Sequence, residues 1–130
     1  MSTLKVNNLQ DINGANNSTP EQVAQGRAKA WCRFIVSNGT PSIDDSFNIS
    51  SITDNNAGDF TFTFNTAMAN TTYATLSTSQ VSTSNINIPC LTSGGQTTTT
   101  ARLQYFRITT LAGGGSVIDP VSAAVAVFGD

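Results

Sequence analysis

The sequence predicts an all-β fold: an antiparallel β-sandwich or barrel-like domain with one short N-terminal helix. Three observations carry that prediction. Threonine, serine and asparagine make up 46 of the 130 residues, an uncharged polarity that suits pleated strands and the turns between them. Apolar and polar residues alternate over 27–36 and again over 60–65. Glycine, asparagine and proline signals punctuate the remainder at intervals of roughly ten residues, as in domains built from many short strands.

Taken in order, residues 3–9 read as a short strand with Leu4 and Val6 on one face. Leu4, Val6 and Leu9 are the apolar residues of this candidate anchoring strand. Residues 1–18 form an N-terminal anchoring segment, and 19–130 form a single β domain. The Asn- and Gly-rich run from Asp11 to Ser18 marks a loop. Thr19-Pro20-Glu21-Gln22 is a helix start: Thr19 caps, Pro20 fits the first helical position, and Gln22 completes a capping box. Gly26 and a change to period two keep that helix short.

From 27 to 36 the even positions Ala28, Ala30, Cys32, Phe34 and Val36 make one apolar face. The odd positions Arg27, Lys29, Trp31, Arg33 and Ile35 make a cationic and aromatic one. Ser37-Asn38-Gly39-Thr40-Pro41 is a turn, with Asn-Gly supplying positive φ. Phe47 and Ile49 share a face, and Ile52 has the opposite parity, which predicts a β-bulge at Ser50-Ser51. A loop over 54–59 then joins strands 46–53 and 60–65 into a hairpin whose Phe60, Phe62 and Phe64 belong to the core. Further strands fall at 72–81, 85–91, 100–110 and 121–128, punctuated by Gly94-Gly95 and Gly113-Gly114-Gly115 and entered at the end through Asp119-Pro120.

Composition narrows function. The chain has no histidine, the commonest general base and metal ligand. Charged residues are 11% and the net charge is −2, with six Lys and Arg, which argues against binding duplex nucleic acid. The N-terminus has no apolar signal-peptide core, and the run Ala123–Phe128 is too short to insert in a membrane. Cys32 and Cys90 are expected as two buried free thiols of a chain made in a reducing cytoplasm. Hydrophobic residues at 38% leave room for partner chains to complete part of the core.

The carboxylates do not suggest catalysis. Adjacent Asp44 and Asp45 point to opposite sides of an extended chain. Asp54 and Asp59 bracket a loop, where aspartates accepting backbone N–H groups explain them as well as a glycosidase pair would. The same loop fails the EF-hand pattern, with Asn65 at its twelfth position. No cofactor or metal is expected. Arg27, Lys29, Trp31 and Arg33 form the one constellation of interest. An aromatic flanked by cations suits an acidic glycan; the plainer alternative is that Trp31 packs under the N-terminal segment or against a neighbouring subunit, where Trp and Arg are enriched.

Several stretches carry a resemblance. They are Gly26-Arg27-Ala28-Lys29-Ala30-Trp31, the run Ser46 to Asn55, Gly58 to Phe64, and Thr66-Ala67-Met68. With Lys5-Val6 at the start and Asp119-Pro120 leading to Val127-Phe128 at the end, the chain resembles small tail-fibre-type proteins of phages and prophages, many from marine and cyanobacterial sources. The match is dense over 26–73 and resumes over 119–128. Cys32 stands where that family usually has an aliphatic residue, and Ser37 to Pro41 departs from its glycine–threonine turn. The resemblance implies a non-enzymatic virion structural protein, assembled as a homotrimer with other virion proteins and engaged in host-surface attachment. The alternative is a capsid decoration or cement protein; a third class is a free carbohydrate-binding module.

Overall fold

Thr19 starts the helix as its sequence predicts. Its hydroxyl accepts from the Gln22 amide at 3.2 Å, and the Gln22 side chain accepts from the Thr19 amide at 2.9 Å. Helix α1 spans Pro20–Gly26. The computed structural model describes residues 2–10, 12–14, 18–80, 86–108 and 115–129. Within 2–10 no strand forms, contrary to expectation; Leu9 and Ser18 make one two-bond bridge, at 2.7 and 2.8 Å, and every residue stays exposed. Among the described residues Leu4 and Val6 find no neighbouring strand to hydrogen-bond along.

The described residues form nine strands: β1 Ala30–Ser37, β2 Thr40–Phe47, β3 Ile49–Asn56, β4 Asp59–Phe64, β5 Ala74–Gln80, β6 Ile86–Gln96, β7 Thr100–Ile108, β8 Gly115–Val117 and β9 Ser122–Phe128. All pairs are antiparallel. One sheet runs β2-β1-β9-β5; the other runs β3-β4-β7-β6, with β8 also pairing with β7. The protein is therefore all-β, with antiparallel sheets and one short helix.

The two sheets meet face to face through the residues that alternation selects. Ala30, Cys32 and Phe34 of β1 are buried, as are Phe60, Phe62 and Phe64 of β4 and Ala123, Val125 and Val127 of β9. Phe34 from one sheet meets Phe60 and Phe62 from the other edge-on, each at 5.4 Å, and Tyr105 at 6.1 Å. Such pairs add roughly 0.5–1.5 kcal/mol each beyond area burial. Buried tyrosine hydroxyls are satisfied: Tyr105 meets Ser77 at 2.9 Å, and Tyr73 donates to the Thr97 and Thr100 carbonyls.

Asn38 and Gly39 take φ of 51° and 76°, the tight reversal their sequence predicts. The β3 register slips between Ile49 and Ser51, where a bulge was expected. Other expectations need correction. The stretch 40–47 is a strand of its own, an edge paired only with β1, whose Pro41, Asp44 and Asp45 conceal it from pattern reading. Phe47 and Ile49 do not share a face. Asn48 between them has φ of 57°, and the chain passes there from one sheet to the other, leaving Phe47 exposed and Ile49 buried.

The hairpin is tighter than predicted, since β3 reaches Asn56 and only Ala57 and Gly58 turn. Gly58 has φ of 65°, and a Cβ there would stand 2.6 Å from the Ile118 backbone. Asp119 accepts from the Gly58 amide at 2.6 Å, tying this turn to the entry of β9. Both thiols are free, but Cys90 is exposed because it points outward from β6. The predicted strand ends at 81, 85, 109 and 110, with Gly113 and Gly114 and parts of the 11–18 loop, lie outside the described residues.

Candidate functional site

The predicted constellation of Arg27, Lys29, Trp31 and Arg33 is divided between two concavities. Arg27 and Lys29 line a cleft of about 720 Å³ at one end of the domain, with Phe47, Asn65, Met68 and Asn70 among its other walls. Asn48 builds this end. Its side-chain amide donates to the Lys29 and Thr66 carbonyls at 3.0 and 3.1 Å, and its oxygen accepts from the Thr66 amide at 2.7 Å. One side chain thereby holds the run before β1 to the chain that leaves β4. No carboxylate lines the cleft, and neither Arg27 nor Lys29 is ion-paired among the described residues. Asn70 uses its oxygen on the Thr72 amide and hydroxyl at 2.8 and 2.6 Å.

Trp31 and Arg33 instead face a groove of about 250 Å³ on the outer side of the β2-β1-β9-β5 sheet. Its floor is Ala124 and Ala126 of β9, and Leu76 and Thr78 of β5 form the opposite wall. Register sets Phe47, Trp31, Ala126 and Leu76 in one row across the sheet. Phe47 is 53% exposed and Leu76 57%, so the row is an apolar surface. Arg33 pairs with Asp44, the extra residue of a bulge where Arg33 lies opposite Asp45 and Phe34 opposite Ile43. That bulge re-aims Asp44 toward the outer face, which strict alternation could not foresee. The groove is thus charge-balanced while the end cleft is cationic.

No family model, curated protein or solved structure matches the chain. The geometry alone therefore describes the remaining surfaces. On the outer side of the second sheet Asp59 is buried. It receives a bidentate contact from Arg102 at 2.7 and 2.8 Å, then Gln104 at 2.8 Å and Asn55 at 3.2 Å. The Arg102 hydrogen bonds outweigh the cost of burial and hold its carboxyl down at about 2. Its partners are side chains, not the turn amides expected of it, and they leave Asp54 apart as an exposed strand residue. A carboxylate held this way cannot carry a proton near neutral pH.

Further along the same face, Ile86, Ile88, Phe106, Ile108 and Val117 form an apolar surface, with Ile86 63% exposed. With Leu103 and Tyr105 on one face and Phe106 and Ile108 on the other, β7 reads in the sequence as buried on both sides. Leu103 and Tyr105 are buried, but Phe106 is only half-buried and Ile108 exposed, because among the described residues no second layer covers the outer face. Arg107 turns to the opposite face from Arg102, as parity requires. Leu4, Val6 and Leu9 line a shallow groove with Pro20 and Val23 of α1, and Leu4 is 83% exposed. Sequence reasoning missed Phe47, Asn65, Met68, Asn70 and Leu76. The cleft draws on three separate stretches of chain, and no local pattern joins them.

Proposed function

We propose that this chain is a non-enzymatic structural protein of a phage virion. In this reading it is part of a tail-fibre or spike-type appendage and works in assembly and host-surface attachment, as a homotrimer beside other virion proteins. The observation that supports it best is the apolar row Phe47, Trp31, Ala126 and Leu76 on an outer sheet face. Free-standing monomers rarely leave such contiguous apolar surface to water, whereas subunits bury it. Trp31 on that row is suited to a subunit contact or to a sugar ring. The sequence resemblance over 26–73 and 119–128 supplies the phage context.

The apolar surface of Ile86, Ile88 and Phe106 favours a second reading, in which the chain is a capsid decoration protein seated on a shell protein. An adsorption assay separates the two. Purified chain added to host cells ahead of the phage slows adsorption in the appendage reading. Unchanged adsorption, together with heat-labile heads in particles lacking the chain, is the outcome of the decoration reading.

A further inference from the structure

We propose that the end cleft is a binding site for an acidic saccharide, a sugar bearing a carboxylate or sulfate. This inference rests on the attachment reading and specifies its ligand. The domain offers two concavities beside its aromatic row, and charge chooses between them. In the groove, Arg33 is already neutralised by Asp44. Among the described residues no carboxylate joins Arg27 and Lys29 in lining the cleft, although acidic residues outnumber basic ones in the chain. An anion entering there gains two charge-assisted partners without displacing an ion pair among the described residues.

The other walls fit a sugar better than a bare anion. Phe47 presents a half-exposed ring at the rim, suited to the C–H face of a pyranose, and Met68 is a buried apolar floor. Asn70 spends its oxygen on Thr72, so its amide N–H groups remain to donate, and Asn65 and Thr66 add polar groups for hydroxyls. Among the described residues the cleft is rich in donors and lacks carboxylate acceptors, the complement of a hydroxylated anion. At about 720 Å³ it has the size of an ordinary ligand pocket. Asn48 keeps its two sides in place whether or not a ligand is present.

The test is amide NMR of the full chain titrated with trigalacturonate, a sulfated galactan oligosaccharide, maltotriose and sodium sulfate. Either acidic oligosaccharide is expected to shift amides of 27–29, 47–48 and 65–70, and the two arms tell carboxylate from sulfate recognition. Arg27→Gln and Lys29→Gln each weaken binding by about tenfold, while Arg33→Gln leaves it unchanged. Equal shifts from maltotriose or from sulfate alone, shifts confined to Leu76 and Ala124, or no shift with either acidic oligosaccharide would overturn the proposal. Loss of this site with the chain still found on particles leaves the attachment reading standing. Saccharide binding by a chain absent from particles removes that reading and keeps the site.

Discussion

With four side-chain donors on its two oxygens, Asp59 links β3, β4 and β7 across the outer face of one sheet. Its folded carboxyl titrates at about 2, below the ordinary value of 3.8. The stabilisation is therefore complete above the ordinary value and is lost as pH falls toward about 2. Asp59→Asn should cost about 1–2 kcal/mol at neutral pH, less than the full shift because solvent reaches Arg102. Urea unfolding of both proteins should show that gap close as pH drops. A second residue prediction concerns the thiols. Burial pushes the Cys32 thiol up to about 12, whereas Cys90 is exposed. A disulfide reagent should titrate Cys90 in the native protein and Cys32 only after unfolding. The inward position of Cys32 was legible because it shares parity with Ala30 and Phe34. The outward position of Cys90 was not, because β6 is an edge strand whose two faces both carry apolar residues.

Among the elements, those with two-sided evidence in the sequence were legible: the capping box of α1, the Asn-Gly turn, and strands β1 and β4 with their strict alternation. Edge and very short strands were not. β2 is polar on most positions because only β1 covers it, and β8 has three residues, too few to show a period. The passage between sheets at Asn48 was hidden for a related reason. Its signal is one residue with positive φ and three hydrogen bonds to distant backbone. Asn48→Gly keeps that backbone conformation and should lose about 2 kcal/mol for the missing bonds, and Asn48→Ala roughly 1 kcal/mol more for the left-handed strain. Thermal denaturation of the two variants reads both terms, and equal losses would show that the strain contributes nothing.

At the scale of the whole molecule, the two sheets bury a shared aromatic core and still leave large apolar side chains on both outer faces. Alternation marked Trp31 as lying opposite the core face of its strand, but not how rows from different strands would align. The cleft was illegible for the same reason, since its walls meet only after the sandwich forms. A chain with these faces should associate. Light scattering at micromolar concentration is expected to give a mass well above the 13.6 kDa of one chain, and a clean 13.6 kDa species would remove the homotrimer. The central claim is that the protein is built into a virus particle as part of an appendage. Cryo-electron microscopy of particles produced from the encoding genome, with this domain fitted to density, tests it most directly. The account predicts threefold density for the domain on the tail or a projecting appendage, and particles whose density nowhere accommodates it would contradict the account.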